Sequence, residues 1–480
     1  MRSVDRENWR RRFSEWFREV LDEAEIYDYR YPIKGCGVWR PYGFALRRNV
    51  LQIVRNILNS TNHEEILLPL LIPENFLAKE AEHVRGFEDQ VYWVTMGGRD
   101  KLDLKLALRP TSETAIGPML KLWIKSHRDL PKKYYQIVSV FRYETKATKP
   151  LIRVREITTF KEAHTAHTTL EEADKQVREA IGAYAKIFDE LGIPYVINKR
   201  PEWDKFAGAL YTIAFDTLMP DGRAMQIGTV HNLGQNFSRA FEIKYLTKDG
   251  RQEYVWQTCY GISERVLAAL ISIHGDDRGT VLSPNVAPIQ TIIIPIPYKG
   301  EEEKILEKCI EIENILKKNG IRVKLDNRED ITPGSKFYDW ERRGVPTRIE
   351  IGPKDLREGK VTISRRDTLE RIECREVEVV DKLRELFKLI HESMKRRAWS
   401  WFKENTYRIS NIAEGRRILE EKGGIIEVYW CGSEKCGHKI QDETESRMLG
   451  EALDLEDIDI GECIICGRKT SRLARLAKTY

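Results

Sequence analysis

QIVSVFRYETKATKPLIRVRE, residues 136–156, alternates an apolar run with a polar loop and a second approach to a strand. Ile137 to Phe141 carry the strand signal, and Arg142 and Glu144 follow directly at its end. Just upstream, KLALRPTSETAIG (105–117) repeats the arrangement, with Leu106 to Leu108 leading into Arg109. Just downstream comes FKEAHTAH (160–167). Arg109, Arg142, Arg153 and Arg155 are thus interleaved with Glu113, Glu144, Glu156 and Glu162 at strand ends. Guanidinium groups grip phosphate or carboxylate through a planar fork. Guanidinium groups and carboxylates together imply a polar site on a sheet, suited to an anionic ligand that also carries a cationic group.

Working outward, apolar positions from Phe44 to Leu58 recur at helical spacing, and Glu65 to Leu68 reads as a strand ending at Pro69. Thr111-Ser112-Glu113 starts a helix reaching about Ser126, where a hydroxyl cap and a first-turn acid would explain all three residues. Thr169 to Glu172 opens another helix with a capping-box pattern. Between residues 195 and 260 lie short runs, Tyr211 to Phe215, Ala224 to Ile227, Phe241 to Leu246 and Glu253 to Thr258, separated by Asp221-Gly222 and Asp249-Gly250. Such spacing predicts hairpins and a mostly antiparallel sheet. GISER (261–265) then turns into a helix over 266–273, a weak signal for a phosphate seat.

Residues 283–300 are a proline-rich joint. Beyond it, strands over 292–296, 321–325, 347–351 and 360–364 alternate with helices over 301–319 and 335–343, implying a small α/β domain with parallel strands. Basic residues at its loop ends, Arg348 and Lys354, are candidates to face a nucleic acid. A long helix from about Val380 to Asn405 leads into the last segment, giving divisions at 1–282, 283–395 and 396–480. In the last segment 26 residues separate the pair Cys431 and Cys436 from the pair Cys463 and Cys466. Two such pairs have the look of a closed, structural zinc site, with His438 as a possible replacement ligand. His164-x2-His167 beside Glu162 lacks a third ligand and is a poor metal candidate, and His274-Gly275-Asp276-Asp277 is as readily a helix end.

Hydrophobic residues make up 41% of the 480 and charged residues 32%, which fits a soluble chain with a large core. Eighty basic and 75 acidic residues leave +5, too balanced to demonstrate a polyanion partner. The longest apolar run, near Ile289 to Ile296, is too short to cross a membrane, and no leader pattern opens the chain, so a cytoplasmic location is expected. Neither G-x-x-x-x-G-K-[ST] nor G-x-G-x-x-G occurs, so a nucleotide would be held in some other way.

FRYE followed by LIRVRE resembles motif 2 of the class II aminoacyl-tRNA synthetases, GISER resembles motif 3, and the 44–69 helix and strand resemble motif 1. RPTSE, KFAGA, HNLGQNF, HGDDRG and GPKD narrow the resemblance to the prolyl-tRNA synthetase family, and the cysteine-bearing tail with its terminal tyrosine to the archaeal and eukaryotic-type branch. The same segments are less like the threonine, glycine and histidine families. A noncatalytic tRNA-binding relative is the alternative of another kind, yet such proteins usually lose phosphate-gripping arginines.

The resemblance implies an α+β catalytic domain on a mostly antiparallel sheet, an α/β anticodon-binding domain and a small α+β zinc-binding C-terminal domain. It implies activation of proline with ATP and Mg2+, transfer to proline tRNA, and a homodimer. Arg142 and Arg265 would be catalytic. Thr111, Glu113, Phe160, Glu162, Phe206, His231 and Ser263 would join Arg142 around proline. Glu144, Arg153, Gln226 and Thr229 would join the two arginines around ATP. Glu341, Arg348 and Lys354 would meet the anticodon, and Cys431, Cys436, Cys463 and Cys466 would hold zinc. No room for a large editing insertion lies between Glu162 and motif 3, so some activation of alanine or cysteine is expected. Tyr480 is expected to fold back toward the active site.

Overall fold

The computed structural model describes residues 8–79 and 88–480. Its centre is an eleven-stranded sheet whose middle strands are antiparallel neighbours: Tyr211–Leu218, Ala224–Gly234, Trp256–Ile262, Glu156–His167 and Lys132–Phe141. The hairpin reading therefore holds, with strands longer than the runs Tyr211 to Phe215 and Ala224 to Ile227, whereas of Phe241 to Leu246 only Lys244–Leu246 is strand, paired with Gln252–Tyr254 in a separate two-stranded sheet. The 65–68 segment differs: only Glu64–Glu65 is strand, parallel to Lys132–Phe141, and after the Ile66 N–H bond to the Tyr135 carbonyl the backbone of Leu68 bonds to side chains instead. Leu68 N–H donates to the Gln136 side chain, and the Leu68 carbonyl accepts from Arg109.

Helices cover one face of the sheet for reasons visible in their spacing. Leu170–Leu191 buries Ala173, Val177, Ala180, Tyr184, Ile187, Phe188 and Leu191, a three-to-four-residue stripe. Thr169 Oγ1 caps it by accepting from Glu172 N–H, and Gly192 ends it at φ 68°, a conformation glycine adopts without penalty. Pro41–Ser60 presents Leu46, Val50, Val54 and Leu58 to the same core, and Arg265–Ile273 is buried from Val266 onward.

The joint leads to a separate five-stranded sheet in the order Val323–Leu325, Thr291–Pro295, Thr347–Ile351, Lys360–Arg365, Arg371–Arg375. Only the first three strands are parallel; the last two run antiparallel, so the all-parallel expectation is corrected to a mixed sheet. The short helix Pro353–Glu358 reverses the chain after Thr347–Ile351, and a six-residue helix is too brief for periodicity to reveal.

After the long helix Val379–Glu404, the final segment returns to the large sheet. Arg447–Ala452 pairs with Val196–Lys199, so Thr406–Arg408, Ile425–Tyr429 and Leu473–Ala477 continue the same sheet outward. Tyr480 packs against the catalytic segment outside the cleft lining: its hydroxyl donates to Asp221 at 2.7 Å and the Lys149 ammonium lies 4.6 Å from its ring centre.

Candidate active site

A cleft of about 330 Å³ opens on the antiparallel sheet. Every residue expected around the amino acid or the nucleotide lines it: Thr111, Glu113, Arg142, Glu144, Arg153, Phe160, Glu162, Phe206, Gln226, Thr229, His231, Ser263 and Arg265. The strands Glu156–His167 and Ala224–Gly234 supply Phe160, Glu162, Gln226, Thr229 and His231, Glu113 and Arg265 open helices, and Thr111, Arg142, Glu144, Arg153, Phe206 and Ser263 come from connecting segments.

One end is a nest of buried carboxylates. Thr111 Oγ1 donates to Glu113 Oε2 at 2.5 Å, and the Cys259 thiol donates to Glu113 Oε1 at 2.8 Å. Glu162 Oε1 accepts from Ser112 Oγ at 2.5 Å and from Gln136 Nε2 at 2.8 Å, while its Oε2 accepts from Ser112 N–H at 3.1 Å. Ser112 stands at the N-cap position of Glu113–Trp123, yet its hydroxyl makes no cap bond. The capping explanation is thus replaced: these hydroxyls donate to buried carboxylates, whose oxygens need hydrogen-bond partners away from water. Beside them Phe206 lies against His231, ring centres 4.5 Å apart, and Thr212 Oγ1 meets His231 Nδ1 at 2.9 Å. Burial pushes His231 down to about 4, so the ring is a neutral wall at pH 7.

Arginines dominate the other end. Arg142 Nε donates to the Pro110 carbonyl at 3.0 Å, placing the guanidinium 5.5 Å from the Phe160 ring centre. Arg265 Nε donates to the Ile152 carbonyl at 2.9 Å. Burial and then repulsion from Arg142 and Arg153 lower Arg265 to about 10. Three guanidinium groups crowded into one cleft create a strong demand for an anion. Glu144 Oε2 is 4.0 Å from Arg153 Nε, at the same end.

Two of the four arginines first noticed have other duties. Arg109 donates to the carbonyls of Leu68 and Ser139 and pins strand ends together. Arg155 covers the Tyr143 ring at 4.1 Å and donates to the Glu144 carbonyl, outside the cleft lining. Sequence reading missed Arg200, which pairs with Asp216 and donates to Gln226 Oε1 at 3.0 Å, and Cys259, which looked like an ordinary thiol. Nothing local marks either residue; both acquire their place through strand pairing. Glu264 was also overlooked although it sits inside GISER. It lines the cleft, its Oε2 accepts from Thr158 N–H and Oγ1, and burial raises its carboxyl to about 7.

Elsewhere, Glu341 and Arg348 come together: Arg348 Nη1 donates to Glu341 Oε1 at 3.0 Å on the wall of a second cavity of about 190 Å³. Lys354 does not join them; it is exposed and faces Glu373 at 3.4 Å. The sulfurs of Cys431, Cys436, Cys463 and Cys466 all lie within 4.8 Å of one another. His438 is outside that group, stacked at 4.6 Å on Trp203, so it is no substitute ligand here. Glu113 and Cys259, which line the cleft, cluster with the buried His164, whereas His167 bonds to Thr165 instead.

Family models match along the chain: the class II core domain of tRNA synthetases (G, H, P, S and T) over residues 92–274, an anticodon binding domain over 290–386, and the prolyl-tRNA synthetase C-terminal domain over 412–480. A proline–tRNA ligase of Metallosphaera sedula is 56% identical over 480 residues, covering 99% of this chain and all of that protein. This chain belongs to the proline–tRNA ligase family. A proline–tRNA ligase of Aeropyrum pernix is also 56% identical, with 99% of each chain covered. The solved Giardia lamblia prolyl-tRNA synthetase in complex with prolyl-adenylate superposes with a TM-score of 0.95 at 37% identity, covering 98% of this chain and 99% of that one. Proline–tRNA ligase family membership thus extends over all three segments of the chain.

Proposed function

We propose that the protein activates proline with ATP to prolyl-adenylate and transfers the prolyl group to the 3′ end of proline tRNA, releasing pyrophosphate and AMP. The observation that carries this reading is the single cleft with hydrogen-bonded carboxylates at one end and crowded arginines at the other, in a chain of this family. Proline's secondary ammonium has two N–H donors, which Thr111 and Glu113 accept. Phe160, Glu162, Phe206, His231 and Ser263 enclose the ring. Arg142 holds the prolyl carboxylate against the α-phosphate. A carboxylate oxygen forms the new bond to phosphorus as the α–β bridging bond breaks, and Arg142 and Arg265 neutralise charge on the phosphates. Glu144, Arg153, Gln226 and Thr229 hold the nucleotide. Magnesium accompanies ATP as counter-ion to its phosphates. The terminal ribose hydroxyl of tRNA then attacks the prolyl carbonyl and AMP leaves.

Glu341 and Arg348 read the guanines shared by proline anticodons, with Lys354 as a peripheral contact. Cys431, Cys436, Cys463 and Cys466 hold a structural zinc, a role suited to four gathered thiols. The functional units are 1–282, 283–395 and 396–480, the last continuing the sheet of the first. A homodimer is supported by apolar side chains left exposed after the motif 1-like helix, Leu67 at 80% among them with Leu70 and Leu71. Among the described residues no helix is long and apolar enough to cross a membrane, which is in keeping with a cytoplasmic setting. Without an editing insertion, the apolar walls reject small analogues weakly, so alanine or cysteine is activated measurably.

Amino-acid-dependent exchange of pyrophosphate into ATP, run over the twenty amino acids, tests the reading. Strong exchange with proline is expected, with a weaker signal for alanine or cysteine. Exchange with a different amino acid alone, or none from folded protein, overturns it.

A further inference from the structure

HGDDRG, residues 274–279, follows the helix Arg265–Ile273 and serves none of the roles above. In the fold it grips the second domain. The Asp276 carboxylate accepts two hydrogen bonds from Arg366, at 2.7 and 2.6 Å, in a buried pair. Arg366 Nε also donates to the Glu341 backbone carbonyl at 2.9 Å. Two residues on from Asp276, Arg278 donates its own N–H to Asp276 Oδ1 and its Nη1 to Glu341 Oε2, both at 2.8 Å. The catalytic segment therefore holds the Glu341 side chain directly, through Arg278, and its backbone only indirectly, through the Arg366 that Asp276 anchors. Gly279 makes the approach possible: at φ 131°, a Cβ there would meet the backbone of Arg342 at 2.7 Å.

Arg278 and Arg348 take one oxygen each of the Glu341 carboxylate. A carboxylate oxygen has two lone pairs, so each keeps one acceptor position. Guanine offers N1–H and an N2 amino hydrogen side by side, a match for a carboxylate with both oxygens fixed in orientation, whereas adenine offers a lone pair at N1. The cavity beside Glu341, lined also by Arg348, Arg365 and Arg371, has room for one base.

We infer that Arg278, a residue of the catalytic segment, is a positioning residue for anticodon recognition, locking the Glu341 carboxylate in the orientation that selects guanine. The inference rests on the proposed reading of Glu341 as a guanine contact.

The test compares charging kcat/KM of wild type, Arg278→Ala and Arg278→Lys on a proline tRNA transcript and on transcripts with either anticodon guanine replaced by adenine. Arg278→Ala is expected to lower charging of the guanine transcript about tenfold, mainly through KM for tRNA, and to leave one adenine transcript as poor as before. Discrimination at that position then narrows about tenfold, and Arg278→Lys recovers part of it. Equal losses on all transcripts would mean that Arg278 only holds the domains together and would overturn the inference, as would no change on any. Glu341→Gln separates the underlying reading: full discrimination retained in that variant sinks the role of Glu341 itself, whatever Arg278 does.

Discussion

The two arginine-lined hollows of this protein differ in how fully carboxylates answer their arginines: the cleft pairs Arg200 with Asp216 but crowds three others together. In the cleft, Arg265 meets a backbone carbonyl and is crowded by Arg142 and Arg153, with its pKa pushed down to about 10. In the second cavity every lining arginine is answered by a carboxylate: Arg278 by Glu341, Arg348 by Glu341 and Glu350, Arg365 by Asp367, Arg366 by Asp276, and Arg371 by Glu350. Crowded cations are stabilised only when a polyanion arrives, which suits a site for a triphosphate that must also be released. Neutralised cations form a rigid frame that changes little on binding, which suits the reading of a base edge. Charge count alone would have classed the two hollows together.

Arg142→Ala should break the first arrangement most severely. Removing the group proposed to span the attacking carboxylate and the α-phosphate should lower proline-dependent pyrophosphate exchange by about 10³-fold, as loss of a preorganised donor does elsewhere. A drop below tenfold would show that the cationic end is not where charge develops. The counterpart in the second cavity is Arg366→Gln, which leaves Asp276 buried beside a neutral partner. Its effect belongs to stability: about 3 kcal/mol lost in denaturant unfolding, against little for removal of an exposed ion pair such as Arg251–Asp249. Equal, small losses for both would erase the distinction between frame and surface.

Part of the first hollow was legible in the sequence because some of its residues lie in FRYE, TSE and GISER, where a local pattern and a place in the cleft coincide. The carboxylate nest was only half legible. Thr111 and Glu113 are two apart, but Cys259 reaches Glu113 across 146 positions through the pairing of Trp256–Ile262 with Glu156–His167. Spacing rules cannot see such a contact. The same holds for the continuation of the sheet through Arg447–Ala452, where an edge strand of the catalytic region is covered by a strand more than 240 residues later. Lys354, grouped with Arg348 by the resemblance, is carried by the turn into Pro353–Glu358 to an exposed position beside Glu373. The HGDDRG segment read as an ordinary helix end because its partners, Arg366 and Glu341, lie in another domain.

Glu113→Gln sharpens the comparison inside the cleft itself. The variant keeps the shape and removes the charge that would meet the prolyl ammonium, so KM for proline should rise about 10²-fold with KM for ATP little changed. A parallel rise in both would place Glu113 in the frame of the cleft and not against the amino acid.

Glu264 gives the smallest effect and the most local test of how the cleft treats charge. Burial raises its carboxyl from 4.5 to about 7, with the Thr158 hydrogen bonds opposing. The folded chain therefore binds this proton more tightly than the unfolded one. The stability it contributes is complete below pH 4.5 and is lost as pH rises through about 7. Glu264→Gln, which cannot ionise, should remove that slope, so that variant and wild type converge near pH 5 and the variant is more stable by ~2 kcal/mol above pH 7. Chemical denaturation at a series of pH values between 5 and 8 measures it. Parallel curves would mean that Glu264 is ionised in the fold, answered by the Arg47 guanidinium that lies on the same side, and that even the cationic cleft compensates its buried carboxylates.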